Sequence, residues 1–588
     1  MKELLSGNEA IARGAYEAGV VVATGYPGTP STEVLETLVR FKGEVYCEWS
    51  PNEKVAFEVA AGASLSGARA IVTMKHVGLN VAADPLMTLA YTGTVGGLVA
   101  VVADDPGMHS SQNEQDTRHF ARFAKVPMLE PSDSREAKEM VALGLEISEE
   151  FRTPVILRSS TRVSHSRSLV TLSSRAVSQR PLGFEKNPAR FVSVPQFARG
   201  MRVRLEERLA RLSEAANRSP ANRIEHRGRR LGIVTSGIAY QYVREVFPEA
   251  SVLKLGWVYP FPNVLIREFA AAVDEILIVE ELDDILEQHV LALGIPCQGK
   301  NVVPRIGELS PDVLLASRAK LDGKTIPAEA RTASTTEIGD LPGRPPVLCA
   351  GCPHRGIYHA LNKCNVVVTG DIGCYSLGAL PPLSRMDTLL CMGAGVTMAH
   401  GMDKAGEPRR VVGILGDSTF FHSGITGLLD IAYNRGASTI IVVDNRTTAM
   451  TGHQPHPGTG RTLMGDPSPR VSIEDVGRAC GIKNVVTIDP YDLKNTVSVL
   501  KRAIASDEPW LVVSRAACLL DVRQTLGPPL HVDEAACREC GACLKLGCPA
   551  LECGGGIPRV NPLLCAGCGL CNQVCPAGAF EVEKEVAS

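Results

Sequence analysis

The sequence predicts a multidomain α/β protein with a small cysteine-rich module near its C-terminal end. A chain of 588 residues is too long for one hydrophobic core, so roughly three or four domains are expected. Short β-branched or apolar runs alternate with helical patterns through most of the chain, which is typical of parallel α/β folds. Of the 18 cysteines, nine lie from Cys537 to Cys575, a density that favours metal binding.

Composition and charge exclude several classes of function. The net charge of -3, the pI near 6.5 and the aromatic content of 5% exclude the basic, aromatic surface of a nucleic-acid-binding protein. The first residues lack the apolar core of a secretory signal, and apolar runs such as 95–103 have the length of strands. We therefore expect a cytoplasmic protein without membrane association, whose thiols are free for metals or catalysis rather than for disulfides.

Periodicity and composition divide the first half of the chain into three segments. Residues 1–175 alternate strand and helix patterns. Residues 176–228 are rich in Arg and Ser, with an amphipathic helix predicted over Phe197–Leu212, and we interpret them as a linker or insertion. Residues 229–322 contain the strand patterns GIVTSG, VLKLGW and DEILIVEE between helical stretches, which predicts a compact α/β domain.

The second half is predicted to begin with a link at 323–346 that contains Pro, Thr and Ser. Residues 347–528 form a further α/β unit with the strand patterns VVVTGD, RRVVGILGD, TIIVVDN and PWLVVS. Residues 529–588 form the cysteine-rich module. No tandem repeat is evident apart from the paired cysteine runs of that module.

The most specific motif is this pair of cysteine runs. Each has the form CxxCxxC followed by a further cysteine and a proline, which resembles the two-cluster bacterial ferredoxins. Structural zinc is the alternative, but zinc sites pair two CxxC units rather than repeating CxxCxxC. The first run holds Cys537, Cys540, Cys543 and Cys548, and the second holds Cys565, Cys568, Cys571 and Cys575.

The ferredoxin resemblance implies two 4Fe-4S clusters, because in that family the last cysteine of each run ligates the cluster of the other run. The first run has one residue more before its last cysteine than the family usually has, which predicts an altered geometry or potential and leaves a 3Fe cluster open. Cys553 is a further thiol that could compete as a ligand. The implied sets are Cys537, Cys540, Cys543 and Cys575 for cluster 1, and Cys565, Cys568, Cys571 and Cys548 for cluster 2.

A second motif lies at the ends of two predicted strands. GDS follows VVGIL and DNRT follows TIIVV, and together they resemble the GDG and N elements of thiamine-diphosphate enzymes. A Mg²⁺ ion that bridges the diphosphate prefers hard oxygen ligands, and the resemblance implies Asp417, the Asn445 side chain and the Thr447 carbonyl. Ser418 and Asp444 depart from the usual residues, and ordinary turn chemistry is the alternative. The implied cofactor-binding positions are Gly416, Asp417, Ser418, Asn445 and Thr447.

Glu53, in NEKVAFEVAAGAS, is the candidate catalytic carboxylate. Thiamine enzymes need a carboxylate at the aminopyrimidine to shift a proton, and Glu53 matches the position of that glutamate in the family's pyrimidine domain. The alternative is a solvated glutamate at a helix start, stabilised by the helix macrodipole. The presence of pyrimidine-type and diphosphate-type segments in one chain favours the catalytic role.

A third group of cysteines accompanies the thiamine-type motifs. CAGC and GDIGC resemble elements by which many 2-oxoacid oxidoreductases hold a further 4Fe-4S cluster near thiamine, with a fourth ligand after the thiamine motif. A redox pair, or simply buried thiols, is the alternative interpretation. The possible third cluster would use Cys349, Cys352, Cys374 and Cys518.

The segment YPGTPST resembles the YPITPS element of the same oxidoreductases, in which the matching threonine approaches the substrate carboxylate. The resemblance therefore implies that Thr29 binds substrate. Ser31 or Thr32 can be explained as a turn or helix cap. His109 and Arg118 lie in a polar stretch that could line the substrate mouth, although a solvated loop explains most of it, and they receive no catalytic role.

Two weaker motifs are explained by packing or by loop position rather than by ligand binding. The GxG at Gly393 and Gly395 lacks the rest of a dinucleotide fingerprint, so close helix packing explains it better. His453 and His456 follow the magnesium segment and could cover the diphosphate. A loop histidine is more often neither a ligand nor a base, so no role is assigned to either.

The order of these parts, with DIGCYSLG, CMGAGVTMAHG, GDSTFFHSGI and DNRTTAMTGHQPHP, resembles the thiamine-dependent 2-oxoacid:ferredoxin oxidoreductases, and among them those that use indolepyruvate, over essentially the whole chain. The resemblance implies a pyrimidine domain, a transketolase-C-terminal-like domain, a diphosphate domain and a two-cluster ferredoxin domain. In sequence order these are 1–175, 229–322, 347–528 and 529–588.

The implied reaction converts an aryl pyruvate, coenzyme A and oxidised ferredoxin to an arylacetyl-CoA, CO₂ and reduced ferredoxin. Indolepyruvate and phenylpyruvate are the expected substrates. Thiamine diphosphate, Mg²⁺ and two 4Fe-4S clusters, with a possible third, are the expected cofactors. The expected partners are soluble ferredoxin and a smaller beta subunit that supplies a gamma-type domain, in an oxygen-sensitive enzyme of an anaerobic host.

Three alternatives stay open at this point. The same chemistry could act on another 2-oxoacid, such as pyruvate, 2-oxoglutarate or a branched-chain oxoacid. The chain could be a non-redox thiamine decarboxylase or carboligase with an appended ferredoxin module. It could also be an electron carrier that has lost its thiamine chemistry, which the presence of Glu53, Asp417 and Asn445 disfavours.

Overall fold

The computed structural model describes residues 1–176, 182–323 and 346–582, and the chain divides into two compact units, Met1–Asp340 and Leu341–Ser588. The predicted link at 323–346 falls almost wholly outside the described residues. Within the described ranges, every helix is too short or too polar to span a lipid bilayer.

The first unit is an α/β structure. Its strands are β1 (Lys2–Ser6), β2 (Val22–Gly25), β3 (Tyr46–Trp49), β4 (Ala70–Lys75), β5 (Leu98–Asp104), β6 (Met128–Leu129), β7 (Val155–Ser160), β8 (Arg167–Thr171), β9 (Arg223–Glu225), β10 (Leu231–Ser236), β11 (Ser251–Leu255), β12 (Trp257–Tyr259) and β13 (Glu275–Val279). Its helices are α1 (Gly7–Glu17), α2 (Thr32–Leu38), α3 (Glu53–Leu65), α4 (His76–Val81), α5 (Ala83–Thr92), α6 (Arg118–Ala124), α7 (Ser134–Phe151), α8 (Thr161–His165), α9 (Pro188–Phe191), α10 (Pro195–Arg218), α11 (Ala239–Val246), α12 (Asn263–Ala271), α13 (Ile285–Ala292) and α14 (Pro311–Leu321).

The main sheet of this unit has seven strands in the order β12-β6-β7-β5-β4-β2-β3. All neighbours are parallel except β12, which pairs antiparallel to β6. Parallel strands covered by helices are buried on both faces, and β4, β5 and β7 are buried along their whole length. The carboxyl ends of β2, β3 and β4 therefore lie together at one edge of the sheet, where ligands bind in open α/β folds.

The segment predicted as a linker contributes packed structure. Its predicted helix extends over Pro195–Arg218, beginning with Pro at a position that lacks a helical hydrogen bond in any case. Its apolar stripe, which includes Leu205, is buried in a core shared by residues of both neighbouring segments. Strand β9 pairs with β11 in a second sheet of order β13-β10-β11-β9. Residues 177–181 of this segment lie outside the described part of the chain.

A buried ion network joins the main sheet to the second sheet. The Arg158 Nε donates to Asp104 Oδ2 at 2.7 Å, and its Nη1 donates to Glu130. Arg118 donates to Asp116 Oδ1 at 2.9 Å and to Glu280, at the end of β13. Because all of these groups are buried, each charge relies on its partners rather than on water.

Replacing Arg158 by Leu is expected to destabilise the first unit by about 3–5 kcal/mol, since the change leaves Asp104 and Glu130 as uncompensated buried charges. Thermal unfolding followed by circular dichroism measures the effect. Arg218→Ala is the control, because its pair with Glu214 is exposed and its loss should not change the melting temperature measurably. Equal melting temperatures for the two variants would contradict a structural role for the network.

The second unit is also α/β. Its strands are β14 (Val366–Gly370), β15 (Thr388–Leu389), β16 (Arg410–Gly416), β17 (Thr439–Asp444), β18 (Asn484–Ile488), β19 (Trp510–Arg515), β20 (Leu530–Val532), β21 (Leu551–Glu552), β22 (Arg559–Val560) and β23 (Phe580–Val582). Its helices are α15 (His354–Leu361), α16 (Ala394–Lys404), α17 (Asp417–Thr419), α18 (Ile425–Tyr433), α19 (Ile473–Ala479), α20 (Leu493–Ile504), α21 (Leu519–Val522) and α22 (Leu570–Val574).

A six-stranded parallel sheet of order β15-β14-β16-β17-β19-β18 forms the centre of the second unit. Gly416 of β16 pairs in register with Val443 of β17, so the residues after these two strands meet at one edge. The antiparallel pairs β20-β23 and β21-β22 belong to the cysteine-rich module. The predicted α/β fold class is confirmed, and all four strands predicted from β-branched runs in this unit are present.

Candidate functional site

In the first unit, a short turn after β2 carries Thr29. The Gly28 amide donates to Thr32 Oγ1 at 3.0 Å, and the Ser31 hydroxyl donates to the Gly28 carbonyl at 2.8 Å. Ser31 occupies the N-cap position of α2, but its hydroxyl bonds back to the turn instead of capping the helix amides. Ser31 and Thr32 therefore hold the turn in shape, and Thr29 lies half-buried at its tip.

Glu53 is the first residue of α3, which begins after a cap in which Asn52 Oδ1 accepts from the Val55 amide at 3.0 Å. The interpretation of Glu53 as a solvated side chain is wrong, since only 6% of its surface is exposed. A Cβ placed on Gly78 of α4 would lie 2.6 Å from Glu53 Oε1, so the carboxylate is seated against that glycine.

Lys75, the last residue of β4, lies beside the Thr29 turn and was not singled out by any motif. A Cβ placed on Gly28 would lie 3.1 Å from Lys75 Cβ. The Lys75 Nζ donates to the Ser110 carbonyl at 2.8 Å and to its hydroxyl at 3.3 Å. Burial lowers the pKa of Lys75 to about 8, and the charge of Asp105 opposes the shift. The signal that could have indicated Lys75 is its position directly after the apolar strand pattern AIVTM, at the edge of the sheet where ligands bind.

The two polar residues considered for the substrate mouth have other surroundings. His109 is exposed, and its Nε2 lies 3.2 Å from Glu308 Oε2. Arg118 is neither solvated nor in a loop, because it begins α6 and belongs to the buried ion network. Both contacts are explained by packing within the first unit.

In the second unit, Asp417 begins α17 directly after β16 and is buried. Its Oδ1 accepts from the Ser418 amide at 2.9 Å, and its Oδ2 lies 3.1 Å from His456 Nε2. Burial acts to raise the pKa of Asp417, but the charge of His456 and its hydrogen bond outweigh burial, so the pKa lies below the usual range. His456, to which the sequence assigned no role, therefore contacts the central carboxylate.

Asp444 ends β17 next to Asp417. Burial and the neighbouring Asp417 charge raise the pKa of Asp444, although Arg515 Nε donates to its Oδ2 at 2.6 Å. Two carboxylates in contact repel one another unless a proton or a cation lies between them. The Asn445 side chain follows at once, and the buried Thr447 Oγ1 finds no hydrogen-bond partner among the described residues. These oxygen donors fit a hard divalent cation.

Ser418 fills the place where thiamine enzymes usually have glycine. It is buried, and its Oγ accepts from the Thr448 hydroxyl at 3.0 Å. Arg446 adopts a left-handed backbone with φ of 62°, which separates Asn445 from Thr447 by a sharp turn. The hydroxyl of Ser418 thus joins the two strand ends instead of disrupting them.

A buried acid that the sequence did not indicate lies beside this centre. Asp371 follows β14, and its Oδ1 accepts from the Tyr375 hydroxyl, while its Oδ2 accepts from the Gly393 amide at 2.9 Å. Burial raises the pKa of Asp371 to about 7. The GDIGC motif, noted for its cysteine, therefore also places this acid and Tyr375 next to the Asp417 strand end.

The interpretation of Gly395 as a helix-packing residue agrees with the geometry. A Cβ on Gly395 would lie 2.8 Å from the Ile414 carbonyl, and one on Gly413 would lie 2.6 Å from the Gly395 carbonyl. Helix α16 consequently packs directly on the backbone of β16. This close approach brings the start of α16, at Gly393, to Asp371.

The four cysteines of the possible third cluster lie together in the second unit. Burial raises the pKa of Cys352 to about 12 and that of Cys374 to about 11, and the charge of Cys349 adds to both shifts. The charge of Cys518 also raises the pKa of Cys374, and the Cys518 Sγ lies 3.6 Å from His453 Nε2. None of the 18 cysteines forms a disulfide, so the CAGC pair is not closed as a redox bridge.

The ferredoxin-type cysteines line two separate cavities. In each, three cysteines of one run face the last cysteine of the other run. Among the described residues, no three His, Cys, Asp or Glu side chains are close enough to hold a single metal ion. One cavity is lined by Cys537, Cys540, Cys543 and Cys575, and the other by Cys548, Cys565, Cys568 and Cys571.

The extra residue of the first run is absorbed by a tight turn. Residues Leu544–Leu546 form one 3-10 turn, which Gly547 ends with a left-handed φ of 62°. Leu546 is buried, and Cys548 then reaches the second cavity. Cys553 is exposed, with its Sγ 3.6 Å from the Gly556 carbonyl, and lines neither cavity.

The second cavity also adjoins the third group of cysteines. Gly351, within the CAGC motif, lines that cavity. The Tyr491 hydroxyl donates to the Gly351 carbonyl at 2.6 Å, and burial raises the pKa of Tyr491, with Cys352 and Cys568 adding to the shift. One backbone segment and one tyrosine thus lie between the two groups of thiols.

Replacing Cys568 by Ala is expected to lower the iron content of anaerobically purified protein by about four atoms per chain, because a cluster needs all its thiolates. Colorimetric iron analysis measures the loss. Cys553→Ala is the matched control and should keep its iron. Loss of iron from the Cys553 variant instead would identify that thiol as a ligand and overturn the cavity assignment.

Three family models match the chain. Residues 13–211 match the model described as "Pyruvate flavodoxin/ferredoxin oxidoreductase, thiamine diP-bdg". Residues 371–514 match the model described as "Thiamine pyrophosphate enzyme, C-terminal TPP binding domain". A "4Fe-4S binding domain" matches residues 558–581. Glu53 lies in the first of these ranges, Asp417 in the second and Cys568 in the third.

Relatives align with the chain along nearly its whole length. The indolepyruvate oxidoreductase subunit IorA of Methanothermobacter marburgensis is 44% identical, over 98% of this chain and 97% of its own. The subunit of the same name from Pyrococcus horikoshii is 43% identical, over 99% of this chain and 97% of its own. The IorA subunit of Archaeoglobus fulgidus is 39% identical, over 99% of this chain and 98% of its own.

Proposed function

The chain belongs to the family of indolepyruvate oxidoreductase IorA subunits, and we propose that it carries the thiamine and iron–sulfur centres of an aryl-pyruvate:ferredoxin oxidoreductase. It is an oxidoreductase subunit that binds thiamine diphosphate and 4Fe-4S clusters. The proposal concerns the substrate, the co-substrate, the number of clusters and the residues that act.

The observation that carries the proposal is the composition of the second unit. This single unit holds the paired carboxylates Asp417 and Asp444 and two four-cysteine cavities. Decarboxylation alone would need no route for electrons away from the thiamine-type centre, whereas oxidation of the substrate does. The combination therefore supports an oxidoreductase over a lyase.

The proposed reaction is an oxidative decarboxylation. An aryl pyruvate such as indolepyruvate or phenylpyruvate loses its carboxylate as CO₂, and the remaining acyl group forms a thioester with coenzyme A. The two electrons released pass singly to two oxidised ferredoxins, and the thiol proton is released to solvent. A smaller beta subunit and soluble ferredoxin are the proposed partners.

The residues of the second unit would hold the cofactor. Asp417, the Asn445 side chain and the Thr447 carbonyl would ligate Mg²⁺ with the diphosphate, and His456 and the Ser418 amide orient the Asp417 carboxylate. When bound, thiamine diphosphate supplies the electron sink that decarboxylation requires. Gly416 would bring the backbone of the strand end close to the diphosphate, and its missing side chain leaves room for the Tyr375 ring, since a Cβ there would lie 2.8 Å from Tyr375 Cε1.

In the first unit, Glu53 and Thr29 have distinct proposed roles. Glu53, buried at the start of α3, would exchange a proton between its carboxylate oxygen and the aminopyrimidine of bound thiamine diphosphate. Thr29, at the tip of its turn, donates its hydroxyl to the substrate carboxylate. Its backbone is kept in place by the bonds of Ser31 and Thr32 to Gly28.

Anaerobic stopped-flow absorbance of the purified complex tests the function. With thiamine diphosphate and Mg²⁺ bound, indolepyruvate should bleach the visible absorbance of the clusters, and coenzyme A should accelerate the bleaching. Glu53→Gln should slow it about 100-fold or more, because proton transfer contributes at least that factor. Glu58→Gln, exposed on the same helix, is the control and should bleach as the unaltered protein does.

Two other outcomes would contradict the proposal. Release of CO₂ without bleaching would identify a decarboxylase whose clusters serve no electron transfer from substrate. Faster bleaching by pyruvate, 2-oxoglutarate or a branched-chain oxoacid than by the aryl pyruvates would replace the substrate class while keeping the chemistry.

We further propose that Cys349, Cys352, Cys374 and Cys518 hold a third 4Fe-4S cluster, since their mutual approach joins three distant parts of the second unit. Cys374→Ala should lower the iron content by about four atoms per chain. Cys391→Ala, at an exposed cysteine, is the control and should keep its iron. Equal iron in both variants would reduce the cofactors to the two ferredoxin-type clusters.

A further inference from the structure

Lys75 differs from the other buried lysines of the described chain in its partners. Lys138 and Lys254 are also buried, and each bonds directly to a carboxylate, Glu17 and Glu136 respectively. Lys75 is only 8% exposed, yet within the described residues no carboxylate lies within ion-pair distance of its Nζ. A buried ammonium without an anion is costly and therefore needs an explanation.

The ammonium of Lys75 retains hydrogen-bonding capacity. It donates to both oxygens of Ser110, the carbonyl at 2.8 Å and the hydroxyl at 3.3 Å. An ammonium has three N–H groups, so one is left for a ligand. Asp105, whose charge raises the pKa of Lys75, already accepts hydrogen bonds from the Ser111 and Thr161 hydroxyls and the Ser110 amide.

The position of Lys75 connects the two candidate residues of the first unit. Strands β2 and β4 are parallel neighbours, so the Thr29 turn and Lys75 leave the same edge of the sheet. Gly28 permits the turn to approach the lysine, and the Ser110 hydroxyl lies 3.5 Å from the Thr29 carbonyl. Helix α4 follows Lys75 directly and brings Gly78 against Glu53.

We propose that Lys75 binds the carboxylate of the 2-oxoacid substrate together with Thr29, and that Ser110 positions the ammonium. This inference rests on the proposed function and adds the charged partner that Thr29 alone does not supply. The substrate carboxylate is the missing anion, and its bond to Lys75 is charge-assisted. Since the carboxylate leaves as CO₂, Lys75 stabilises mainly the bound substrate.

The first test compares steady-state kinetics of the whole complex, loaded with thiamine diphosphate and Mg²⁺. Lys75→Met should raise the KM for phenylpyruvate about 30-fold or more, as expected for loss of a buried charge pair, and should lower kcat much less. The KM for coenzyme A should not change. Lys75→Arg should recover most of the affinity, and Lys54→Met, on the exposed face of α3, should have no effect.

A binding measurement separates the carboxylate contact from a structural role. Isothermal titration calorimetry with phenyllactate and with its amide, which do not react, should show a preference for the acid in the unaltered complex. In Lys75→Met the acid should bind only as weakly as the amide, while affinity for the amide stays the same. Unchanged amide binding also shows that the variant is folded.

Each contrary result has a distinct meaning. An undiminished preference for the acid in Lys75→Met would overturn the inference, and so would loss of bound thiamine diphosphate or a raised KM for coenzyme A, because Lys75 would then serve another anion. Absence of turnover with every 2-oxoacid in the unaltered complex would instead refute the proposed function.

Discussion

Parallel pairing of neighbouring strands is the constraint on which both candidate sites depend. Each parallel strand of a sheet ends at the same edge as its neighbour, so residues that follow different strands meet there although they are distant in sequence. In the first unit this brings the Thr29 turn, Lys75 and the start of α3 together. In the second unit it brings Asp417 against Asp444.

Buried charges are compensated differently in the arginine network and at the strand edges. Arg118 and Arg158 each bond directly to buried carboxylates, and these bonds link two sheets of the first unit. At the strand edges the compensation is incomplete: Asp444 is pressed against another carboxylate, and Lys75 bonds only to neutral oxygens. Incomplete compensation inside a folded protein is expected where a charged ligand completes the site.

Local patterns predicted much of the fold but missed contacts that come from tertiary packing. The β-branched runs predicted the central strands of the second unit, and the cysteine spacing predicted the module at its end. The amphipathic pattern predicted α10, but the Arg- and Ser-rich composition around it suggested a linker, whereas Leu205 is buried by residues far away in the chain. Arg118 was likewise placed in a polar loop, because sequence does not show the acidic residues that surround it.

The sequence by itself determined the two ferredoxin-type cysteine runs and the GDS and DN strand ends, because the spacing of ligands within a short loop is a local property of the chain. Only the tertiary structure brought Cys374 to Cys518, Asp371 to Gly393 and Lys75 to Ser110. Burial, the charges nearby and the pKa shifts that result depend on contacts between distant segments. No spacing along the chain encodes those contacts, so the ionisation of these groups follows from the fold alone.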